Sequence, residues 1–134
     1  MPQIDVADET FVVAPPSAVA AAFADPAAWP GFWPDLTPSV YADRGAEGLR
    51  WTVTGALTGT MEVWLEPMLD GTLVHYFLRA DLPGEPTPRR ARQERTRRQL
   101  AAKALAFRLK GALEQGRAPG CAPAAAAVPP SAVS

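Results

Sequence analysis

Apolar and polar side chains alternate through three stretches of the chain, a pattern typical of half-buried β-strands. Two runs that precede these stretches, the first of them β-branched and aromatic, predict two more strands. The five predicted strands cover residues 10–14, 37–41, 49–54, 60–66 and 72–82. We expect turns at residues 43–45, between Gly55 and Gly59, and at Asp70-Gly71, which is a strong hairpin signal.

A two-residue loop at Asp70-Gly71 sets the expected pairing of the last two strands. Leu69 would then lie opposite Thr72. One face of the hairpin would pair apolar residues, and the other would pair charged and aromatic ones. The expected apolar pairs are Leu65 with Tyr76, Val63 with Leu78, and Met61 with Ala80; the outer pairs are Glu66 with His75, Trp64 with Phe77, and Glu62 with Arg79. The apolar face, extended by Trp51 and Val53, is therefore expected to face the core.

Three further segments have helical character. Residues 16–23 place Val19, Ala22 and Phe23 on one helical face, and residues 27–29 predict a second short helix. Residues 29–34 combine two Trp, one Phe and two Pro, which predicts a stiff loop with aromatic rings at a rim. Residues 89–117 contain strong helix formers and predict a helix of about 40 Å. Its expected apolar face, in the second half, consists of Leu100, Ala101, Ala104, Leu105, Phe107, Leu109, Ala112 and Leu113.

Length and composition predict one α+β domain over residues 1–117, followed by a disordered Ala/Pro tail over residues 118–134. No apolar run of about 18 residues is present, so a membrane span is not expected. The first residues lack the features of a secretory signal, and we expect a cytoplasmic protein. The only cysteine is Cys121, which excludes an intramolecular disulfide and a cysteine-rich metal site.

Charge is divided unevenly along the chain. Residues 1–88 carry 12 acidic and 3 basic side chains, whereas residues 89–117 carry 10 basic and 2 acidic ones. The basic run is either a solvated helix end steadied by acidic groups, with Asp81 and Glu85 near in sequence, or a surface for an anionic membrane or acidic protein. Nucleic acid is disfavoured because no recognition motif accompanies the run. Its members are Arg89, Arg90, Arg92, Arg95, Arg97 and Arg98.

The order of elements resembles the START-like, helix-grip superfamily (SRPBCC), of the bacterial polyketide cyclase/dehydrase and lipid-transport type. Residues 11–19 are similar to its opening strand and first helix, residues 25–30 to its second short helix, and residues 71–74 to its Gly-Thr-x-Val strand. Residues 109–117 resemble its closing helix. The resemblance implies a curved antiparallel sheet wrapped around a long C-terminal helix. Its members have six or seven strands, so five strands imply a shortened sheet and a smaller or more open cavity.

The resemblance also implies a ligand held between the concave sheet face and the long helix. The candidate function is binding of a hydrophobic small molecule: a lipid, an acyl chain or a polyketide-like compound. The alternative is that the same side chains form a packed core. The candidate ligand-binding residues are Trp29, Phe32 and Trp33 at the entrance, and Trp51, Met61, Val63, Tyr76, Leu78, Leu105 and Leu109 in the cavity.

The sequence offers little catalytic chemistry. His75 is the only histidine and is expected on the outer face beside Glu66. Tyr76 is the best inward-facing polar group, so an alternative is a polyketide cyclase or dehydratase in which Tyr76 orients the substrate. No cofactor, metal site or catalytic residue is predicted. Trp64 and Phe77 are expected outside, either as a scattered pair or as a homodimer contact.

Overall fold

Five strands and three helices make up the computed structural model, which describes residues 2–114. The strands are β1 (Ile4–Val12), β2 (Leu36–Asp43), β3 (Gly48–Gly55), β4 (Thr58–Met68) and β5 (Gly71–Asp81). The helices are α1 (Pro16–Ala24), α2 (Trp29–Phe32) and α3 (Pro88–Glu114). The strands form one antiparallel sheet in the order β1-β5-β4-β3-β2. The predicted α+β helix-grip fold with five strands is confirmed.

Strand β1 begins six residues earlier than the sequence pattern predicts. It pairs with β5 from Ile4 opposite Ala80 to Val12 opposite Thr72. Its buried positions alternate regularly, but one of them is Asp8, whose carboxylate lies 2.9 Å from the Lys103 ammonium. A buried charge in an apolar row hides the alternation, which explains why only the end of the strand is recognisable.

The β4–β5 hairpin pairs two residues away from the predicted register. Met61 lies opposite Leu78, and Met68 lies opposite Gly71, so the two-residue loop is Leu69-Asp70. Leu69 takes the positive φ of 52° that the turn requires, and Gly71 lies in the strand. A shift of two residues keeps every side chain on its face, so the predicted concave and outer faces are correct although their individual pairs are wrong.

The predicted stiff aromatic loop is instead a helical turn. A 3₁₀ turn (Pro26–Ala28) is capped by the Asp25 carboxylate, which accepts a hydrogen bond from the Ala27 N–H at 3.0 Å. Helix α2 follows directly, and its Pro30 occupies the first turn, where a missing N–H costs nothing. Trp33 donates its backbone N–H to the Trp29 carbonyl at 2.8 Å and closes the turn.

Helix α3 lies against the sheet with an inward face that differs from the prediction. Leu105 is buried, and Leu109 and Leu113 pack against the same core. Leu100 and Phe107, which were expected on this face, are 68% and 58% exposed. The first half of the helix buries Glu94 and Arg98 instead of apolar side chains. The predicted continuation to Arg117 and the predicted tail over residues 118–134 lie outside the described residues.

Candidate functional site

Aromatic side chains from α1, α2 and the following residue surround Trp51 on β3. The ring centroids of Trp33, Trp29 and Phe23 lie 5.3, 6.0 and 6.5 Å from that of Trp51. Phe32 packs edge-on against Trp33 at 5.5 Å. The indole N–H of Trp29 donates to the Phe23 carbonyl at 2.8 Å. Edge-on aromatic packing and this hydrogen bond together fix the α2 segment against the sheet.

A small cavity lies between the sheet and α3. Its volume is about 20 Å³, which is enough for one water molecule. Most of the space between sheet and helix is therefore filled by side chains. The lining is largely apolar, and β1 contributes the polar side chains of Asp8 and Thr10. The lining residues are Asp8, Thr10, Val12, Val19, Phe23, Val74, Tyr76, Ala102, Leu105, Ala106, Leu109 and Leu113.

The ten candidate residues named from the sequence fall into three places. Tyr76, Leu105 and Leu109 line the cavity. Phe32 and Trp33 line an open groove beside it, which Tyr76 also reaches. The remaining five lie in the core or pack against it: Trp29, Trp51, Met61, Val63 and Leu78. Thr10 and Val12 belong to the predicted strand over residues 10–14, but the alternating row that places them on the cavity side is seen only when the strand is traced back through Asp8.

The open groove runs between the α2 segment and one side of α3, and its volume is about 300 Å³. This is the lower end of the range of small-molecule sites. The α2 side supplies aromatic rings, and the helix side supplies three alanines whose small side chains leave the space open. The lining residues are Gly31, Phe32, Trp33, Pro34, Asp35, Tyr76, Arg97, Arg98, Ala101, Ala102, Ala104 and Arg108.

Tyr76 and Ala102 line both the groove and the cavity, and Tyr76 is the polar residue of the two. It is 9% exposed, and its hydroxyl donates to the Met61 sulfur at 3.3 Å. Thioether sulfur is a weak acceptor. Burial raises the pKa of Tyr76 well above its ordinary value, and the opposing influence of Arg98 is smaller. The hydroxyl therefore stays protonated and can donate to a stronger acceptor placed in the groove.

An ion-pair network around the buried Glu94 and Arg98 holds one end of the groove. Glu94, which is 2% exposed, accepts hydrogen bonds from Arg90, Arg97 and Arg98 at 2.7–3.2 Å. Burial alone would raise the pKa of Glu94, but the hydrogen bonds from these arginines outweigh it and lower the pKa to about 2. Asp35 sits across the groove and binds both Arg97 and Arg98. Burial likewise opposes the effect of these two arginines on Asp35, whose pKa is nevertheless lowered.

Similarity to known proteins is visible in three dimensions only. No protein-family model matches the chain, and no curated protein matches its sequence. A START superfamily protein from Mycobacterium smegmatis superposes with a TM-score of 0.65 at 16% identity, covering 83% of this chain and 97% of that one. The Aha1 dimer protein from Colwellia psychrerythraea gives 0.64 at 15% identity, covering 86% and 99%. The chain has a START-like helix-grip fold.

A third structure of this START-like fold is the di-domain ARO/CYC StfQ from the steffimycin biosynthetic pathway. It superposes with a TM-score of 0.59 at 15% identity, and the match covers 82% of this chain and 50% of StfQ. At such identities the similarity establishes the shared fold. The site residues of this chain must therefore be argued from its own geometry.

The outer sheet face of the START-like fold carries His75 as predicted. Its imidazole stacks on Trp64 at 4.3 Å between ring centroids and lies parallel to Phe77 at 6.4 Å. Its two ring nitrogens lie 3.2 Å from the Glu9 carboxylate and 3.0 Å from that of Glu66. His75 thus links β1, β5 and β4 on the side of the sheet opposite to the groove.

The arginine run separates into two groups in the structure. Arg90, Arg97 and Arg98 form the network with Glu94 and Asp35, whereas Arg89, Arg92 and Arg95 lie outside it and are exposed. Asp81, suggested as a partner from its position in the sequence, instead accepts a hydrogen bond from the Gln3 backbone N–H at 2.8 Å. Among residues 2–114, no helix is long and apolar enough to cross a membrane.

Proposed function

We propose that the protein binds a hydrophobic small molecule, of the lipid, acyl or polyketide-like class, in the groove between the α2 segment and α3. The observation that carries the proposal is the position of Tyr76, whose polar side chain lines both this groove and the cavity. Its hydroxyl bonds to a weak acceptor, the Met61 sulfur, and can exchange it for a ligand carbonyl or hydroxyl at little cost.

The shape of the groove supports a slim, partly apolar ligand. Phe32 and Trp33 offer aromatic surface, and Ala101 and Ala104 leave room along the helix. Burial of apolar ligand surface would contribute about 25 cal/mol per Å².

The first experiment is native mass spectrometry of the purified protein, with organic extraction of co-purifying molecules, followed by titration with fatty acids and aromatic polyketides. Ala101→Trp fills the groove and is expected to abolish binding. Ala112→Trp is the matched control, because Ala112 is also exposed on α3 but does not line the groove. Binding that survives Ala101→Trp, or bare protein that ignores every compound, would overturn the proposal.

We infer a second candidate, attachment to an anionic lipid surface, from the outer face of α3. Exposed side chains spaced three, four or seven residues apart form one stripe along this face: Arg89, Arg92, Thr96, Leu100 and Phe107. Both acidic residues described in α3, Glu94 and Glu114, are buried. The stripe therefore presents positive charge and two apolar side chains, which favours an anionic membrane over a second copy of the same basic helix.

Vesicle co-sedimentation tests this second candidate. Binding to phosphatidylcholine vesicles that contain phosphatidylglycerol is expected, and it should be lost in high salt because surface charges are screened. The double variant Arg89→Gln, Arg92→Gln should bind weakly. Equal sedimentation with and without phosphatidylglycerol would refute it.

A further inference from the structure

Three arginines line the groove, but only two of them are neutralised within it. Arg97 and Arg98 bind Asp35 and Glu94 at one end. Arg108 lines the same groove and makes no hydrogen bond or ion pair with residues 2–114. The groove thus has a neutralised end and a positive end.

Spacing along the helix gives the distance between the two ends. Arg97 and Arg108 are eleven residues apart in α3, which corresponds to about 16 Å of helix at 1.5 Å per residue. Ala101 and Ala104 lie between them on the same side of the helix. An extended chain of about ten carbons therefore fits the stretch between the ends.

We propose that the groove is selective for amphipathic carboxylates, with the carboxylate at Arg108 and the apolar chain running along Ala104 and Ala101 past Trp33. This inference rests on the proposed function. A guanidinium suits a carboxylate because its planar fork matches the two oxygens. Arg108 is exposed, so its contribution to affinity is that of a partly solvated ion pair, about two- to fivefold.

The test compares decanoate with decan-1-ol, which has the same chain length without the charge. Isothermal titration calorimetry at low ionic strength is expected to show about two- to fivefold tighter binding of decanoate to the unaltered protein. Arg108→Gln should abolish this preference, and Arg108→Lys should retain part of it. Arg92→Gln is the matched control, because Arg92 lies on α3 outside the groove.

The outcomes separate the two proposals. If decanoate and decan-1-ol bind equally, or if Arg108→Gln and Arg92→Gln affect decanoate alike, the carboxylate selectivity is wrong while hydrophobic binding stands. If neither compound binds, and the fatty acid and polyketide panel also fails, the groove proposal itself is overturned.

Discussion

Arg98 holds Asp35 through two parallel hydrogen bonds, Nη1 to Oδ1 at 2.9 Å and Nη2 to Oδ2 at 2.7 Å. The two residues are 63 positions apart, and the pair ties α3 to the segment that enters β2. Arg98 also donates its Nε–H to Glu94 at 2.7 Å. One guanidinium therefore binds a carboxylate of α3 and a carboxylate of the segment between α2 and β2. Ion pairs therefore add to the aromatic packing that holds the α2 segment, and they fix this end of the groove.

We predict a coupling free energy of about 1–2 kcal/mol between Arg98 and Asp35, since the arginine side chain is 7% exposed and the carboxylate 37%. A double-mutant cycle with Arg98→Gln and Asp35→Asn, measured by urea unfolding, checks it. The comparison cycle is Arg79 with Asp5, a 3.7 Å pair in which both side chains are more than half exposed. That pair should couple by less than about 0.5 kcal/mol. Equal coupling in the two cycles would contradict the prediction that the less exposed Arg98–Asp35 pair is the stronger one.

Glu94→Gln is expected to destabilise the protein in a pH-dependent manner. The folded-state pKa of about 2 lies below the ordinary 4.5, so the carboxylate stabilises the fold above about pH 4.5 and loses this effect as the pH falls towards 2. The variant should unfold about 3 kcal/mol more easily at neutral pH. This difference should shrink steadily in acid, as followed by urea unfolding at several pH values.

The control for this pH dependence is Glu85→Gln, since Glu85 is exposed in the loop before α3. It should change the free energy of unfolding by less than about 0.5 kcal/mol throughout. A constant difference between Glu94→Gln and the unaltered protein from neutral to acid pH would show that Glu94 does not act through its charge.

Two glycine substitutions are expected to act in opposite directions. A Cβ at Gly71 would lie 2.2 Å from the Val12 carbonyl oxygen, whereas a Cβ at Gly111 meets nothing within 4 Å. Gly71→Ala must therefore push β5 away from the end of β1 and should cost more than about 2 kcal/mol. Gly111 is exposed in the last turn of α3, and Gly111→Ala should stabilise the helix by up to about 0.5–1 kcal/mol. If the urea midpoints of both variants lie above that of the unaltered protein, or both lie below it, this pair of predictions is contradicted.

The hairpin shows which parts of the fold the sequence determines. The alternation in β4 and β5 predicts both faces correctly, because the period of two is insensitive to a register shift of two residues. The turn itself is not predictable, since Leu69 adopts a positive φ and the nearby Gly71 is needed for its close approach to Val12. Local turn preference points to the glycine, but tertiary packing determines where it lies.

The candidate site is less predictable than the sheet for a similar reason. Glu94 and Arg98 occupy inward positions of α3 one turn apart, in line with Leu105 and Leu109. A search for apolar periodicity overlooks them because they are charged. Asp35, their partner, is distant in sequence and carries no local signal. The groove follows from this long-range network, and only its aromatic rim, at Phe32 and Trp33, is apparent from composition.

Tyr76→Phe distinguishes a ligand-orienting hydroxyl from a structural one. The hydroxyl bonds to the Met61 sulfur, a weak acceptor, so its loss should lower the free energy of unfolding by less than about 1 kcal/mol. If the groove holds a ligand with a polar group at Tyr76, affinity for that ligand should fall about five- to tenfold, as measured by calorimetry.

Met61→Leu is the matched variant, because it removes the competing acceptor and keeps the hydroxyl. Leucine has nearly the volume of methionine, so the core should tolerate the change at a cost below about 1.5 kcal/mol. Ligand affinity should then be equal to or higher than that of the unaltered protein, since the Tyr76 O–H no longer donates to the Met61 sulfur. If Tyr76→Phe and Met61→Leu weaken binding equally, the two residues act only by shaping the core, and Tyr76 does not contact the ligand through its hydroxyl.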